Sequence, residues 1–131
     1  MTHVHPVQIY YEDTDHSGAV YHANYLKFFE RAREHMIGPQ ELVRLLNQDG
    51  VGFVVYRVEV VYRKSAGFGD SLEVRSTVRK ESEYRLVFQQ NIHRAGGEEA
   101  LVEGKVELVT VNRKNELVVV PPAVIRRLTE G

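Results

Sequence analysis

The feature that most constrains this chain is a change of hydrophobic period close to Gly50. Before it, Tyr21, Tyr25, Phe28, Phe29, Ala32 and Met36 recur at spacings of three and four. That spacing lays them along one broad stripe of a helix, with Lys27, Glu30, Arg31 and Glu34 mostly elsewhere. Gly38-Pro39 ends the helix, because proline cannot continue the hydrogen-bond ladder. From Val51 the period is two. Val54, Tyr56, Val58, Val60 and Tyr62 make one apolar face, and Arg57, Glu59 and Arg63 lie opposite. A wide aromatic stripe needs a large apolar surface to cover it, and a run of antiparallel strands supplies one. The expected class is α+β, with an antiparallel sheet wrapped around one long central helix.

The remaining elements fit that plan. Val7 to Tyr11 alternate as a short strand, and Glu12 to Gly18 carry turn chemistry. Gln40 to Gln48 read as a second, shorter helix with Leu42, Leu45 and Leu46 on one side. The strand after Val51 is long enough to require a bulge or bend. Ser71 to Arg79 points Leu72, Val74 and Val78 inward. After a turn at Glu81-Ser82-Glu83, Tyr84, Leu86, Phe88, Gln90 and Ile92 form the next inward face. Gly96-Gly97 marks a hairpin, and Leu101 to Val111 form a further strand. Pro121-Pro122 lead into a terminal helix bearing Val124, Ile125 and Leu128. No Pro/Gly/Ser-rich linker interrupts residues 1–131, which read as one domain. A single helix leaves sheet edges unprotected, so a homo-oligomer, dimer or tetramer, is expected.

Composition narrows the function by exclusion. Lys plus Arg number 17 against 18 for Asp plus Glu, so no net field draws the chain to nucleic acid or an anionic membrane. There is no cysteine, which removes disulfides, thiolate metal sites and a cysteine nucleophile. No apolar run is long enough to cross a bilayer, and the first residues lack a signal-peptide pattern. The expected setting is the cytoplasm, without membrane insertion. His3 and His5 alternate on a strand and, with Glu12, Asp13, Asp15 and His16 nearby in sequence, raise a metal site. A histidine pair close to a terminus is more often incidental, and no metal or cofactor is expected.

The chemistry concentrates ahead of the long helix, where Asp13, Asp15, His16, Gly18 and His22 crowd together. A helix N-terminus carries unpaired N–H groups and roughly half a positive charge. A carboxylate held there can act on a carbonyl, and it can equally cap a turn. Asp13 reads as turn-stabilising. Gly18 suits a positive φ or a close approach by substrate. Asn24 is a candidate N-cap.

The stretch YYEDTDHSGAVYHANYLKFFERARE, residues 10–34, resembles the signature of the hotdog-fold acyl-CoA thioesterases, in the 4-hydroxybenzoyl-CoA thioesterase/YbgC-like branch. The segment YRKSAGFGDSLEV, residues 62–74, is similar to that branch's second landmark. The resemblance implies hydrolysis of an acyl-CoA thioester. It implies that Asp15 is catalytic, as general base or nucleophile. A backbone N–H at His22 or a neighbour would polarise the carbonyl. The site would lie at a subunit interface, with pantetheine passing between subunits. Substrate contacts are expected from Gly18, Tyr21, Asn24, Arg63 and Lys64. Arg57, Arg63, Lys64, Arg75 and Arg79 would gather into a basic patch for the CoA phosphates if their strands face one another. A solvated face balanced by Glu59 and Glu73 is the other reading.

After the aspartate the chain departs from the branch's commonest pattern. It reads Asp-His-Ser-Gly-Ala-Val, and His16 is the addition. Two other functions share the fold: an acyl-thioester binding protein without turnover, and a dehydratase using an Asp/His pair with His16 or His22. The acyl group stays open, as does acyl carrier protein in place of CoA.

Overall fold

The computed structural model describes residues 1–130. Its elements are β1 (His3–Gln8), a 3-10 turn (Tyr11–Asp13), α1 (Asn24–Ile37) and α2 (Pro39–Arg44), followed by a π-helical turn (Leu45–Asp49). Then come β2 (Gly52–Tyr62), β3 (Ser71–Ser82), β4 (Arg85–Arg94), β5 (Ala100–Val111) and α3 (Pro122–Glu130). The five strands form one antiparallel sheet in the order β1-β3-β4-β5-β2. β3, β4 and β5 are a meander, while β1 and β2 flank it on opposite edges.

The stripe on α1 does what its spacing requires. Tyr25, Phe28, Phe29, Ala32, Met36 and Ile37 are buried. Its N-terminal half packs with Leu72, Val74, Ile92 and Val102 of the sheet. Its C-terminal half packs with Phe88, Val106, Leu108 and, from α3, Val124. Full burial of each large side chain contributes about 1.5–3 kcal/mol. Gly38 closes the helix with its N–H on the Glu34 carbonyl at 2.7 Å.

A buried polar network also pins helix to sheet. Arg33 donates to Gln90 Oε1 at 2.9 Å. The Gln90 amide donates to the Phe29 carbonyl and to Ser76 Oγ, both at 3.0 Å. Gln90 and Ser76 are both fully buried.

Gly104 on β5 is a close-approach glycine. A Cβ there would lie 2.7 Å from Cε2 and Cζ of Phe29 and 3.1 Å from the Gln90 carbonyl. Gly104→Ala should therefore destabilise the protein by about 1–3 kcal/mol through overpacking. A urea titration reads this directly as a lower midpoint at unchanged slope.

Several expectations shift. The first strand lies earlier than Val7–Tyr11, because pairing with β3 runs from His3 to Gln8. Pro6 is tolerated there since β1 is an edge. Tyr11 leaves the strand and is exposed. Leu46 is exposed rather than sharing the buried side of Leu45, because the helix widens into the π-helical turn. The bulge expected in the long strand is present as a register shift between Val55 and Arg57. It breaks the single apolar face expected for β2. Tyr84 lies in the β3–β4 turn and is exposed.

Candidate active site

The loop from Asp13 to Val20 is a closed structure built on backbone hydrogen bonds. Asp15 N–H donates to the Ala19 carbonyl at 2.8 Å, and Gly18 N–H to the Asp15 carbonyl at 3.2 Å. Gly18 takes φ +85°, a conformation that disfavours any side chain. No protein atom lies within 4 Å of where its Cβ would be, so here the backbone angle alone calls for glycine. The loop is stitched to the β2–β3 connection through Val20 N–H to the Ala66 carbonyl at 2.9 Å and Phe68 N–H to the Gly18 carbonyl at 3.2 Å.

Asp13 is structural. Its Oδ2 accepts the Tyr10 N–H at 2.9 Å. Its carbonyl accepts Tyr21 N–H and the Asn24 side-chain amide, both at 2.9 Å. Asn24 is thus the first residue of α1, tied to the loop through its side chain, and not the N-cap; Ala23 holds that position. Tyr21 is half exposed, and its ring lies 4.7 Å from that of His22.

Asp15 is exposed. Its Oδ1 accepts the Ser17 hydroxyl at 2.6 Å and the Ser17 N–H at 2.8 Å. The Ser17 hydroxyl, then the Ser17 N–H, and more weakly the charge on His16, hold the Asp15 carboxyl below the usual aspartate range. It is ionised at neutral pH. The sequence reading missed Ser17; the Asp-x-Ser spacing of a side-chain-capped turn is the signal that could have found it.

A cavity of about 270 Å³ opens beside the start of α1, lined by Val20, His22, Tyr25, Tyr62, Arg63, Lys64 and Ser65. Tyr62 OH donates to the His22 carbonyl at 3.1 Å. The Tyr25 hydroxyl accepts Ala66 N–H at 3.1 Å, and burial pushes its pKa up, so it stays neutral. Among the described residues, neither the His22 nor the Ala23 N–H meets a protein acceptor. The structure therefore brings His22, Arg63 and Lys64 together. Gly18, Tyr21, Asn24 and Asp15 stay off this cavity's wall. A second cavity of the same volume lies between His3, His35 and Arg127, at the far end of α1 and away from this loop.

The basic patch does not form. β2 and β3 are separated by β5 and β4, so Arg57, Arg63 and Lys64 stand apart from Arg75 and Arg79. Each has a local acidic partner: Arg57 with Glu59, Arg63 with Glu103, Lys64 with Glu99, Arg75 with Glu73, and Arg79 with Glu81. Among the described residues no cluster could hold a metal. His5 instead stacks on His35, with ring centroids 4.7 Å apart.

A family profile described as the thioesterase-like superfamily matches residues 10–128. The chain belongs to the thioesterase-like superfamily. Within it, the chain is 41% identical over 88 residues to the acyl-CoA thioester hydrolase YbgC of Escherichia coli; the match covers 66% of this chain and 66% of that one. The chain thus spans slightly under two thirds of that relative's length. A probable thioesterase from Bartonella henselae is 30% identical, with a TM-score of 0.85 over 92% of this chain and all of that one. The 1,4-dihydroxy-2-naphthoyl-CoA thioesterase of Synechocystis superposes with a TM-score of 0.91 at 20% identity, covering 99% of this chain and 97% of that one. That likeness concerns the fold, which is the hotdog fold: an antiparallel sheet around one long helix, with two shorter helices added. The two landmarks of this superfamily member meet in space, since Ala19 of the first forms a β-bridge to Gly67 of the second.

Proposed function

We propose that the protein hydrolyses an acyl-CoA thioester, with the Asp15 carboxylate as general base or nucleophile and the N-terminus of α1 as the oxyanion site. The observation that carries this reading is an ionised carboxylate on a braced loop, ahead of a helix start whose His22 and Ala23 N–H groups are unpaired. The YbgC relative's activity supports the same reaction.

As base, Asp15 takes a proton from water while the water oxygen attacks the thioester carbon. The negative charge forming on the carbonyl oxygen is held by the free N–H groups. The C–S bond then breaks, and the proton passes to the departing CoA thiolate. As nucleophile, Asp15 attacks the thioester carbon, the C–S bond breaks to release the CoA thiolate, and water then opens the anhydride to the free acid and the Asp15 carboxylate, its remaining proton balancing the thiolate. Arg63 and Lys64 line the cavity and would meet the anionic end of CoA by exchanging their present partners, Glu103 and Glu99. The test is thiol release from a panel of acyl-CoAs, with acyl carrier protein thioesters alongside. Binding without release at every chain length would instead identify an acyl-thioester binding protein.

The active form is a homodimer that joins through the open edge of β2. Val54, Val55, Tyr56, Val58, Val61 and Tyr62 are each 40–61% exposed along this one strand. An unpaired apolar edge of that length is an aggregation hazard unless another strand covers it. Asp15 lies off the wall of its own chain's cavity, so a second subunit is the natural source of the missing wall. Val58→Lys should shift the protein to monomer in sedimentation velocity and reduce thiol release at least tenfold, since each charge must be desolvated at the seam. A Val58→Lys monomer with full activity would remove the partner from the site.

A further inference from the structure

The loop that carries Asp15 is fixed by backbone hydrogen bonds on both sides, at Ala19 within the loop and through Val20 and Gly18 to the β2–β3 connection. The remaining freedom of the carboxylate is rotation about its two side-chain torsions. Asp15 is exposed, so nothing from the core restrains those torsions. Two residues on, Ser17 supplies both its hydroxyl, at 2.6 Å, and its N–H, at 2.8 Å, to the same oxygen, Oδ1. The Ala19 N–H also favours the ionised carboxylate, more weakly than Ser17, and both of the close hydrogen bonds fall on Oδ1. The N–H would be present with any residue at this position except proline. The hydroxyl belongs to serine.

We propose that Ser17 is a positioning residue, whose hydroxyl and N–H clamp Oδ1 of Asp15 and present Oδ2 as the single oxygen available to the water or thioester. This rests on Asp15 carrying the reaction. Fixing one carboxylate oxygen selects one rotamer in advance, so less freedom is lost on reaching the transition state. The same hydroxyl stabilises the ionised form, which gives the clamp a second, separable signature.

The experiment compares Ser17→Ala, Ser17→Thr and Asp15→Asn by thiol release across pH. Ser17→Ala removes the strongest of the donors to the carboxylate, so the Asp15 pKa rises toward its ordinary value. A base or nucleophile must be ionised, so activity should begin to fall at higher pH as the solution is acidified. At neutral pH Asp15 remains ionised in both proteins. Any loss there reports orientation, and kcat should fall by roughly three- to tenfold with KM little changed. Ser17→Thr restores the hydroxyl and should recover both the rate and the acid limb. A purely structural role for Ser17 would not move the acid limb.

If Asp15→Asn is inactive while Ser17→Ala keeps the parent's kcat and acid limb, the clamp is refuted and Asp15 stands. An increased kcat in Ser17→Ala refutes it equally. If Asp15→Asn is active, the reading of the site falls and the clamp falls with it.

Discussion

Replacing Asp15 with asparagine is expected to lower kcat by about a hundred- to ten-thousand-fold, the usual cost of losing a positioned acid or base. Fold and assembly should survive, for a local reason. Asparagine keeps a side-chain oxygen where Oδ1 accepts from Ser17, so the turn retains its cap. It cannot take a proton or form an anhydride at neutral pH. Unchanged circular dichroism and sedimentation, together with lost thiol release, would assign the effect to chemistry. Turnover close to the parent rate would end the assignment. A single turnover in ¹⁸O-labelled water separates the two roles still open. A base delivers the label directly into the released acid. A nucleophile whose anhydride is opened at the aspartyl carbon first delivers an unlabelled oxygen from Asp15 and leaves the label in the Asp15 carboxylate, which a base never acquires.

The second large effect is expected at Gln90. Gln90→Leu removes the acceptor of the buried Arg33 guanidinium and the side-chain donor to the Ser76 hydroxyl, and takes from the Phe29 carbonyl the donor it has beyond its helical one. Leucine nearly matches the volume, so packing alone would predict little change. An unsatisfied buried group costs about 1–3 kcal/mol, and more when it is charged. A loss of about 3 kcal/mol or more in urea-derived stability is therefore expected. The double variant Arg33→Met with Gln90→Leu should recover part of it, because a buried charge with no partner is worse than none. A Gln90→Leu protein as stable as the parent would mean that the guanidinium reaches water.

The sequence made α1 legible because its six stripe residues leave few ways to bury so much aromatic area, and five of them, from Tyr25 to Met36, are buried. The inward faces of β3 and β4 were legible from their alternation, Tyr84 excepted. Gln90 was expected on an inward face by position in the alternation, and it is there. What alternation does not carry is the identity of a strand's neighbour. Nothing in residues 52–62 says that β2 lies beside β5 rather than β3; the strand order removes the basic patch and leaves the other reading, cations balanced by nearby acids. The one-residue slip at Tyr56 also redirects side chains that a uniform period assigns to a single face. At the site, the loop's glycine and carboxylate could be recognised by residue type. The partner of the carboxylate was signalled only by the Asp-x-Ser spacing, which leaves free the torsions on which its hydrogen bonds depend.

The strand order has a consequence for how the molecule assembles in time. β3, β4 and β5 pair across short turns, whereas β1 meets β3 across about seventy residues and β2 meets β5 across about fifty. Closing such loops is entropically costly before any contact repays it. The three-stranded meander should therefore form early, with α1 collapsing onto it, and both flanking strands should dock last. In native-state hydrogen exchange, amides of β4 should open only with global unfolding, while those of β1 and of β2 in the isolated subunit exchange through smaller openings. The strand proposed to meet a partner is then among the last to settle, so folding and subunit joining would be coupled at the same edge.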